Sequence, residues 1–178
     1  MMHGRSCCEI AATPRTRRHF LTVAGIAGSA ALFGLAPRLA FAVGEADALV
    51  LSCIDYRLTD RISDYLNTRG LDGKYDQVIL AGAALGAVTD KYPAWGSTFR
   101  DHLGLAIKLH DIKRVIAIDH RDCGAYRLIL GKDLTGDAEM KLHATELHRL
   151  AKQIHAAHPK LTVETLLMSL DGKVETVA

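Results

Sequence analysis

Cysteine is scarce in this sequence, with four residues among 178. Two of them, Cys7 and Cys8, lie before residue 43, so the remaining chain contains only Cys53 and Cys123. In an exported protein, such a pair suggests one disulfide by default. The other simple interpretation is that both are small buried hydrophobic side chains. The residues around the two cysteines therefore decide their role.

Several signals of common protein classes are missing as well. Residues 43–178 carry 17 basic and 19 acidic side chains without a basic stripe, which argues against a nucleic-acid partner. Gly82-x-x-x-Gly86 lacks the G-x-G-x-x-G pattern of nucleotide binding and indicates close packing instead. His120-Arg121-Asp122 mimics a kinase catalytic loop, but the other kinase motifs are absent. The sequence also has no internal repeat.

The first 42 residues have the pattern of an export signal. Arg17 and Arg18 precede an uncharged stretch, residues 19–37, and the small-residue pattern Ala40-Phe41-Ala42 follows. This resembles a twin-arginine signal peptide with a cleavage site, and it predicts export to the periplasm by the twin-arginine machinery and removal of residues 1–42. An uncleaved membrane tether is the competing interpretation, because the uncharged stretch is just long enough to span a bilayer. Its glycines and alanines argue against that alternative.

Apolar runs and amphipathic stretches alternate along the remaining domain, residues 43–178. Strands are predicted over 48–53, 77–82 and 114–120, and helices over 60–70, 93–110, 123–130 and 137–157. Asp171-Gly172 between two strand-like runs predicts a C-terminal β-hairpin. This order predicts an α/β fold, with a mainly parallel central sheet flanked by helices and a C-terminal hairpin or antiparallel edge strand.

Reactive side chains stand where the first and third predicted strands end. Cys53 ends the first strand and His120 ends the third, and ligands of parallel sheets bind outside the carboxyl ends of the strands. If the chain stays extended beyond Cys53, then Asp55 and Arg57 point to the same side as the thiol. The spacing of His120 and Cys123 suits one metal ion, and a helix N-terminus at Cys123 would favour its thiolate.

Two sulfurs and one imidazole predict a catalytic zinc site, because a closed structural site would use a fourth protein ligand. The fourth position would hold water, whose pKa zinc lowers from about 15.7 to about 7. Asp55 is close enough in sequence to take that position itself, and a bidentate pairing with Arg57 would hold it away and leave it accepting the hydroxide proton. Whether water or Asp55 occupies the fourth position stays open.

The two motifs together, C-x-D-x-R and H-x-x-C-G, resemble the signature motifs of the β-class carbonic anhydrases. The match covers residues 53–57 and 120–124, and the order of elements around them also agrees. The resemblance implies reversible hydration of carbon dioxide to bicarbonate by a zinc-bound hydroxide, and it leaves a homodimer or higher homo-oligomer open. The implied site consists of one Zn²⁺ per chain on Cys53, His120 and Cys123, with Asp55 and Arg57 as the catalytic pair.

One segment departs from this family. Relatives carry an Arg-Asn-Ala-Gly-Asn-like segment after the second strand, where this chain reads LAGAALGA at residues 80–87. The polar side chains that help to build the substrate pocket in the family are therefore missing. Two alternatives consequently stand beside carbon dioxide hydration: hydrolysis of carbonyl sulfide or carbon disulfide, and a zinc-binding carrier or sensor without turnover.

Histidines are frequent on or near the last predicted helix. The intervals between His143, His148, His155 and His158 do not stack on one helical face, so a solvated surface is predicted for them rather than a proton relay or second metal site. For Asp122 and Tyr126, two roles stay open, namely lining the pocket and supporting or capping the residues around it.

Overall fold

The computed structural model describes residues 44–133 and 135–177. The predicted signal peptide, residues 1–42, lies outside these described residues. Within the described part of the chain, none of the helices combines the length and apolar character needed to cross a membrane.

A five-stranded sheet forms the centre of the domain. Its strands are β1 (Ala48–Ser52), β2 (Tyr75–Ile79), β3 (Arg114–His120), β4 (Thr162–Met168) and β5 (Val174–Thr176). They lie in the order β2-β1-β3-β4-β5, in which the first four are parallel and β5 is antiparallel to β4. The predicted α/β fold with its C-terminal hairpin is therefore confirmed.

Five α-helices cover the sheet. They are α1 (Thr59–Thr68), α2 (Ala83–Val88), α3 (Pro93–His110), α4 (Gly124–Leu130) and α5 (Gly136–Ala157). The sequence predicted both ends of α3 correctly. Pro93 stands in its first turn, where the backbone nitrogen has no hydrogen-bond partner within the helix and proline is therefore well tolerated. The predictions for α1, α4 and α5 agree with the structure to within two residues at each end.

The region between β2 and α3 differs from the prediction. The predicted strand over 77–82 was wrong by two to three residues at each end, because the chain turns at Gly82, whose φ of 76° is the left-handed conformation that glycine tolerates best. The helix α2 begins directly after this turn and was not predicted. Its six small or apolar residues are all buried, so they show no amphipathic period that a sequence pattern could detect.

Side chains alternate between the two faces of the central strands. Val115 and Ala117 of β3 face a core shared with α2, α3 and α5, whereas Ile116 and Ile118 face a second core that includes residues of α1. The helices therefore lie on both sides of the sheet, and its carboxyl-terminal edge remains free for the reactive residues. The larger core contains the buried side chains of Phe99, Leu103, Leu147, Leu150 and Ile154.

Close packing between α2 and α3 gives a matched test of the fold. A Cβ at Gly96 would lie 2.5 Å from the Ala87 carbonyl oxygen, whereas a Cβ at Gly104 of the same helix would meet nothing within 4 Å. We expect Gly96→Ala to lower the free energy of unfolding by about 1–3 kcal/mol. Gly104→Ala should raise it by about 0.5–1 kcal/mol. Urea unfolding of both variants checks this, and a stabilising Gly96→Ala would contradict the packing described.

Candidate metal centre

The two predicted motifs meet at the carboxyl-terminal edge of the sheet. Strands β1 and β3 are parallel neighbours, with Ser52 opposite Ile118, so their following residues emerge side by side. Cys53 follows β1, His120 is the last residue of β3, and Cys123 stands immediately before α4. The ligand atoms of these three side chains all lie within 4.8 Å of one another.

The separation of the two sulfurs suits a shared metal ion. The Sγ atoms of Cys53 and Cys123 are 3.9 Å apart, and both residues are free thiols. Two sulfurs bound to one tetrahedral zinc ion at about 2.3 Å would lie about 3.8 Å apart. A disulfide requires a distance of about 2.05 Å, so the default interpretation of a disulfide does not describe this structure.

The histidine presents one ring nitrogen to the same place. Its Nδ1 lies 2.8 Å from the Arg121 carbonyl oxygen and therefore donates to it, which leaves Nε2 as the nitrogen with a free lone pair. Nε2 is buried, and among the described residues it has no hydrogen-bond partner. A buried nitrogen without a partner is costly unless something else binds it, so the donor set fits a zinc ion.

Without a metal ion, the pKa values of the two thiols shift in opposite directions. The hydrogen bond with Cys123, followed by contacts with His120 and the Gly82 N–H, lowers the pKa of Cys53 to about 4 although burial opposes this. The same bond to Cys53, together with burial, raises the pKa of Cys123. Backbone N–H groups of α4 act in the predicted direction on Cys123 but are outweighed. The predicted contribution of the helix N-terminus is therefore present, but it does not decide which of the two thiols ionises in the metal-free pair.

Burial and charge oppose each other at His120. Burial lowers the pKa of its imidazole, but contact with Cys53 and the nearby Asp55 carboxylate act in the other direction, and the net effect raises the pKa. Asp55 Oδ2 lies 3.8 Å from His120 Nε2, so the carboxylate stands beside the ligand atoms.

Arg57 binds the Asp55 carboxylate through both of its oxygens. Arg57 Nε and its backbone N–H donate to Oδ1 at 2.9 and 3.0 Å, and Nη2 donates to Oδ2 at 2.7 Å. These bonds lower the pKa of Asp55 to about 2. The bidentate pairing predicted from the C-x-D-x-R motif is thus present, and it occupies both carboxylate oxygens.

Asp122 holds the other side of the same guanidinium group. Arg57 Nη1 donates to its Oδ2 at 2.9 Å, and Nη2 donates to its carbonyl oxygen at 3.1 Å. Arg127 binds the second oxygen of Asp122 at 2.6 Å. Asp122 has a φ of 57°, a conformation that aspartate tolerates better than most residues. Of the two roles left open, Asp122 therefore supports its neighbours, because it fixes the arginine that fixes Asp55.

Comparison with known proteins identifies the family. Residues 44–178 match the family described as "Putative carbonic anhydrase". The chain belongs to this carbonic anhydrase family. An uncharacterized protein of Rickettsia conorii is 39% identical over 137 residues, which cover 76% of this chain and 74% of that protein. An uncharacterized protein of Rickettsia bellii is 38% identical, covering 76% of this chain and 84% of its own.

Solved β-carbonic anhydrases share the fold of this chain. The Aspergillus fumigatus enzyme CafD has a TM-score of 0.53 at 13% identity, covering 76% of this chain and 90% of its own. The Coccomyxa β-carbonic anhydrase in complex with acetazolamide has a TM-score of 0.52 at 14% identity, covering 75% and 72%. The carbonic anhydrase of Glaciozyma antarctica has a TM-score of 0.51 at 16% identity, covering 76% and 85%. At these identities the likeness concerns the fold alone.

The carbonic anhydrase domain also contains a buried polar cluster that the sequence analysis missed. Asp119, directly before His120, accepts hydrogen bonds from the Ala84 N–H at 2.9 Å, from His143 Nδ1 at 2.9 Å and from the Tyr126 hydroxyl. Burial and the Asp119 carboxylate raise the pKa of Tyr126. Tyr126 therefore supports its neighbours from within the core, which settles the role left open for it.

The prediction of a solvated surface was wrong for His143. This residue is 1% exposed, whereas His148 and His155 are exposed as expected and His158 is partly buried. His143 stands four, seven and eleven residues before Leu147, Leu150 and Ile154, so it continues their buried stripe. Comparing the positions of the histidines with these apolar residues, rather than with one another, would have revealed that His143 is buried.

An open cleft of about 560 Å³ lies beside the candidate metal ligands. Its wall includes Cys53, Cys123, Asp55 and Arg57, and its apolar part consists of Ile54, Tyr56, Ala81, Gly124, Ala125 and Leu128. Ala81 comes from the segment whose polar side chains are missing. The cleft therefore combines one ion pair with mainly apolar walls.

The Asp55–Arg57 pair makes stability depend on pH in a defined direction. The pKa of Asp55 falls from an ordinary 3.8 to about 2 on folding, so the pair stabilises the fold above about pH 4 and this contribution disappears as the pH falls to about 2. Between these pH values, we expect the metal-stripped wild type to lose more free energy of unfolding than metal-stripped Asp55→Asn. Urea unfolding measures both, and equal losses would contradict this assignment.

Proposed function

We propose that this chain is a zinc-dependent carbonic anhydrase that interconverts carbon dioxide and bicarbonate. The observation that carries the proposal is the convergence of two buried thiols and a partnerless imidazole nitrogen beside an ionised, arginine-bound carboxylate. Family membership supports the same reaction.

Cys53, His120 and Cys123 would hold the zinc ion. When bound, zinc supplies a water molecule whose pKa is lowered from about 15.7 to about 7, which makes a nucleophile available at neutral pH. Cys53 is the more readily ionised of the two thiols, because the hydrogen bond with Cys123 and the contacts with His120 and the Gly82 N–H lower its pKa. The remaining chemistry belongs to side chains of the chain itself.

Asp55 would accept a hydrogen bond from the attacking water and orient it. Its low pKa keeps it ionised, and its position near His120 Nε2 puts its oxygens within reach of the ligand atoms. Arg57 prevents the carboxylate from becoming a fourth metal ligand, because both oxygens are engaged by its donors. Ile54, Ala81 and Leu128 offer linear, apolar carbon dioxide an apolar wall in the open cleft.

Hydrolysis of carbonyl sulfide or carbon disulfide is the second candidate. The observation that favours it is the apolar wall at Ala81, where the β-class resemblance leads one to expect polar side chains. The same nucleophile can attack the central carbon of these molecules, and a more apolar pocket admits their larger sulfur atoms. Both candidates use the same ligands and the same acceptor.

A paired assay tests the two reactions on one preparation. Residues 43–178 are purified, their zinc stoichiometry is measured, and carbon dioxide hydration and sulfide release are followed side by side. We expect one zinc ion per chain and hydration well above the uncatalysed rate. Sulfide release without hydration would support the second candidate. Bound zinc with neither activity would leave a zinc carrier or sensor, and absence of zinc would overturn the proposal altogether.

A further inference from the structure

The buried polar cluster behind the metal centre has no part in the chemistry just described. It consists of Asp119, Tyr126 and His143, called the Asp119 cluster below, with exposed fractions of 1%, 4% and 1%. A carboxylate so deeply buried is costly unless donors surround it, and here three donors do so. Moreover, the rings of Tyr126 and His143 pack together with their centroids 4.0 Å apart.

The donors of the cluster come from three different helices, two of which are tied to metal-binding residues. Tyr126 lies in the first turn of α4, three residues after Cys123. Ala84 lies in the first turn of α2, two residues after Gly82, whose N–H donates to Cys53 Sγ at 3.3 Å. Asp119 itself precedes His120 in β3. One carboxylate therefore connects the chain segments around all three ligands.

The anchoring of α2 depends especially on Asp119. Residues 80–87 have no polar side chain with which to bind the rest of the domain. Gly82 also approaches α4 closely, since a Cβ there would lie 3.3 Å from the Ala125 Cβ. A shift of this segment would move the Gly82 N–H away from the thiol of Cys53. The Ala84–Asp119 hydrogen bond opposes that shift.

We propose that Asp119 is a positioning residue for the metal centre, held in place by Tyr126 and His143, and that it sets the affinity and geometry of metal binding. This inference rests on the proposed zinc site. It assigns the cluster a role beyond stabilising the fold, because its hydrogen bonds fix the relative positions of Cys53, His120 and Cys123. Side chains that support metal ligands in this way typically change metal affinity 10- to 100-fold when they are replaced.

The test compares zinc affinity with thermal stability in a set of conservative variants of the full chain. Tyr126→Phe removes one hydroxyl donor, and His143→Leu removes the imidazole, whereas His143→Asn keeps a donor near the position of Nδ1. Thr165→Val is the control, because it removes another buried hydroxyl, which donates to the Val177 carbonyl oxygen at 2.6 Å and is not part of the Asp119 cluster. Zinc affinity is measured by chelator competition, and the visible spectrum of bound Co²⁺ reports coordination geometry.

We expect Tyr126→Phe and His143→Leu to bind zinc about 10- to 100-fold more weakly and to shift the Co²⁺ spectrum. His143→Asn should recover most of the affinity. Thr165→Val should lower the melting temperature while leaving affinity and spectrum unchanged. Wild-type affinity in both cluster variants, or an equal loss in Thr165→Val, would overturn the inference alone. Failure of the wild type to bind zinc would instead overturn the proposed function and this inference with it.

Discussion

Cys123→Ser protein is expected to lose its zinc and, with it, carbon dioxide hydration. The substitution replaces a thiolate ligand by a hydroxyl that does not ionise at neutral pH, and it leaves only Cys53 and His120 at the site. Without the bound ion, the pKa of the attacking water returns from about 7 towards 15.7, so the rate should fall at least about 10³-fold. Zinc analysis after dialysis against a chelator, together with stopped-flow hydration, measures both effects.

A matched control uses the same substitution elsewhere in the full chain. The double variant Cys7→Ser, Cys8→Ser should keep one zinc ion per chain and the wild-type rate, because neither residue belongs to the two motifs. Full hydration by Cys123→Ser would remove this residue from the metal site. If a high concentration of added zinc restores activity to Cys123→Ser, then the substitution has weakened zinc binding rather than prevented folding.

Asp55→Asn protein should show the opposite combination, with zinc retained and turnover lost. The amide has almost the shape of the carboxylate, but its nitrogen cannot accept a hydrogen bond, and it no longer matches both donors of Arg57. Misplacement of a reacting group can lower a rate about 10²-fold. We therefore expect the rate of hydration to fall by that factor at unchanged zinc stoichiometry.

Asp64→Asn is the corresponding control, since Asp64 is exposed on α1 and lies in neither motif. Its rate and zinc content should equal those of the wild type. A fully active Asp55→Asn would show that Asp55 does not orient the attacking water. Loss of zinc in Asp55→Asn would show that this carboxylate contributes to metal binding, contrary to the role that its pairing with Arg57 indicates.

The local patterns of the sequence were sufficient to bring the candidate metal ligands to one place. Cys53 and His120 end buried apolar runs, and parallel pairing of those runs brings their ends to one edge of the sheet. The predicted pairing of Asp55 with Arg57 is present, but the extended chain expected beyond Cys53 was wrong, because Tyr56–Leu58 form a 3-10 helix that Asp55 caps by accepting from the Arg57 N–H. The edge position of Cys53 and His120 depends on backbone geometry over a few residues, which sequence pattern captures well.

Relations between distant elements were much harder to predict. The three donors to Asp119 come from α2, α4 and α5, and nothing in the strand RVIAIDH indicates which helices pack against its last residues. The helix α2 is buried on all sides, so its small residues carry no periodic signal. His143 is a different case, because its spacing to Leu147, Leu150 and Ile154 in the sequence already indicates its place in the buried stripe of α5.

The tight approach of the small residues around α2 constrains how the substrate cleft can change. A Cβ at Gly86 would stand 2.5 Å from the Ala81 carbonyl oxygen, and one at Gly96 equally close to that of Ala87. Larger polar residues grafted into this stretch would push α3 outwards before they altered the chemistry of the wall. The apolar wall and the helix packing therefore depend on the same small residues. Substitutions that alter substrate preference are easier to accommodate at Ile54 or Leu128, whose side chains are exposed.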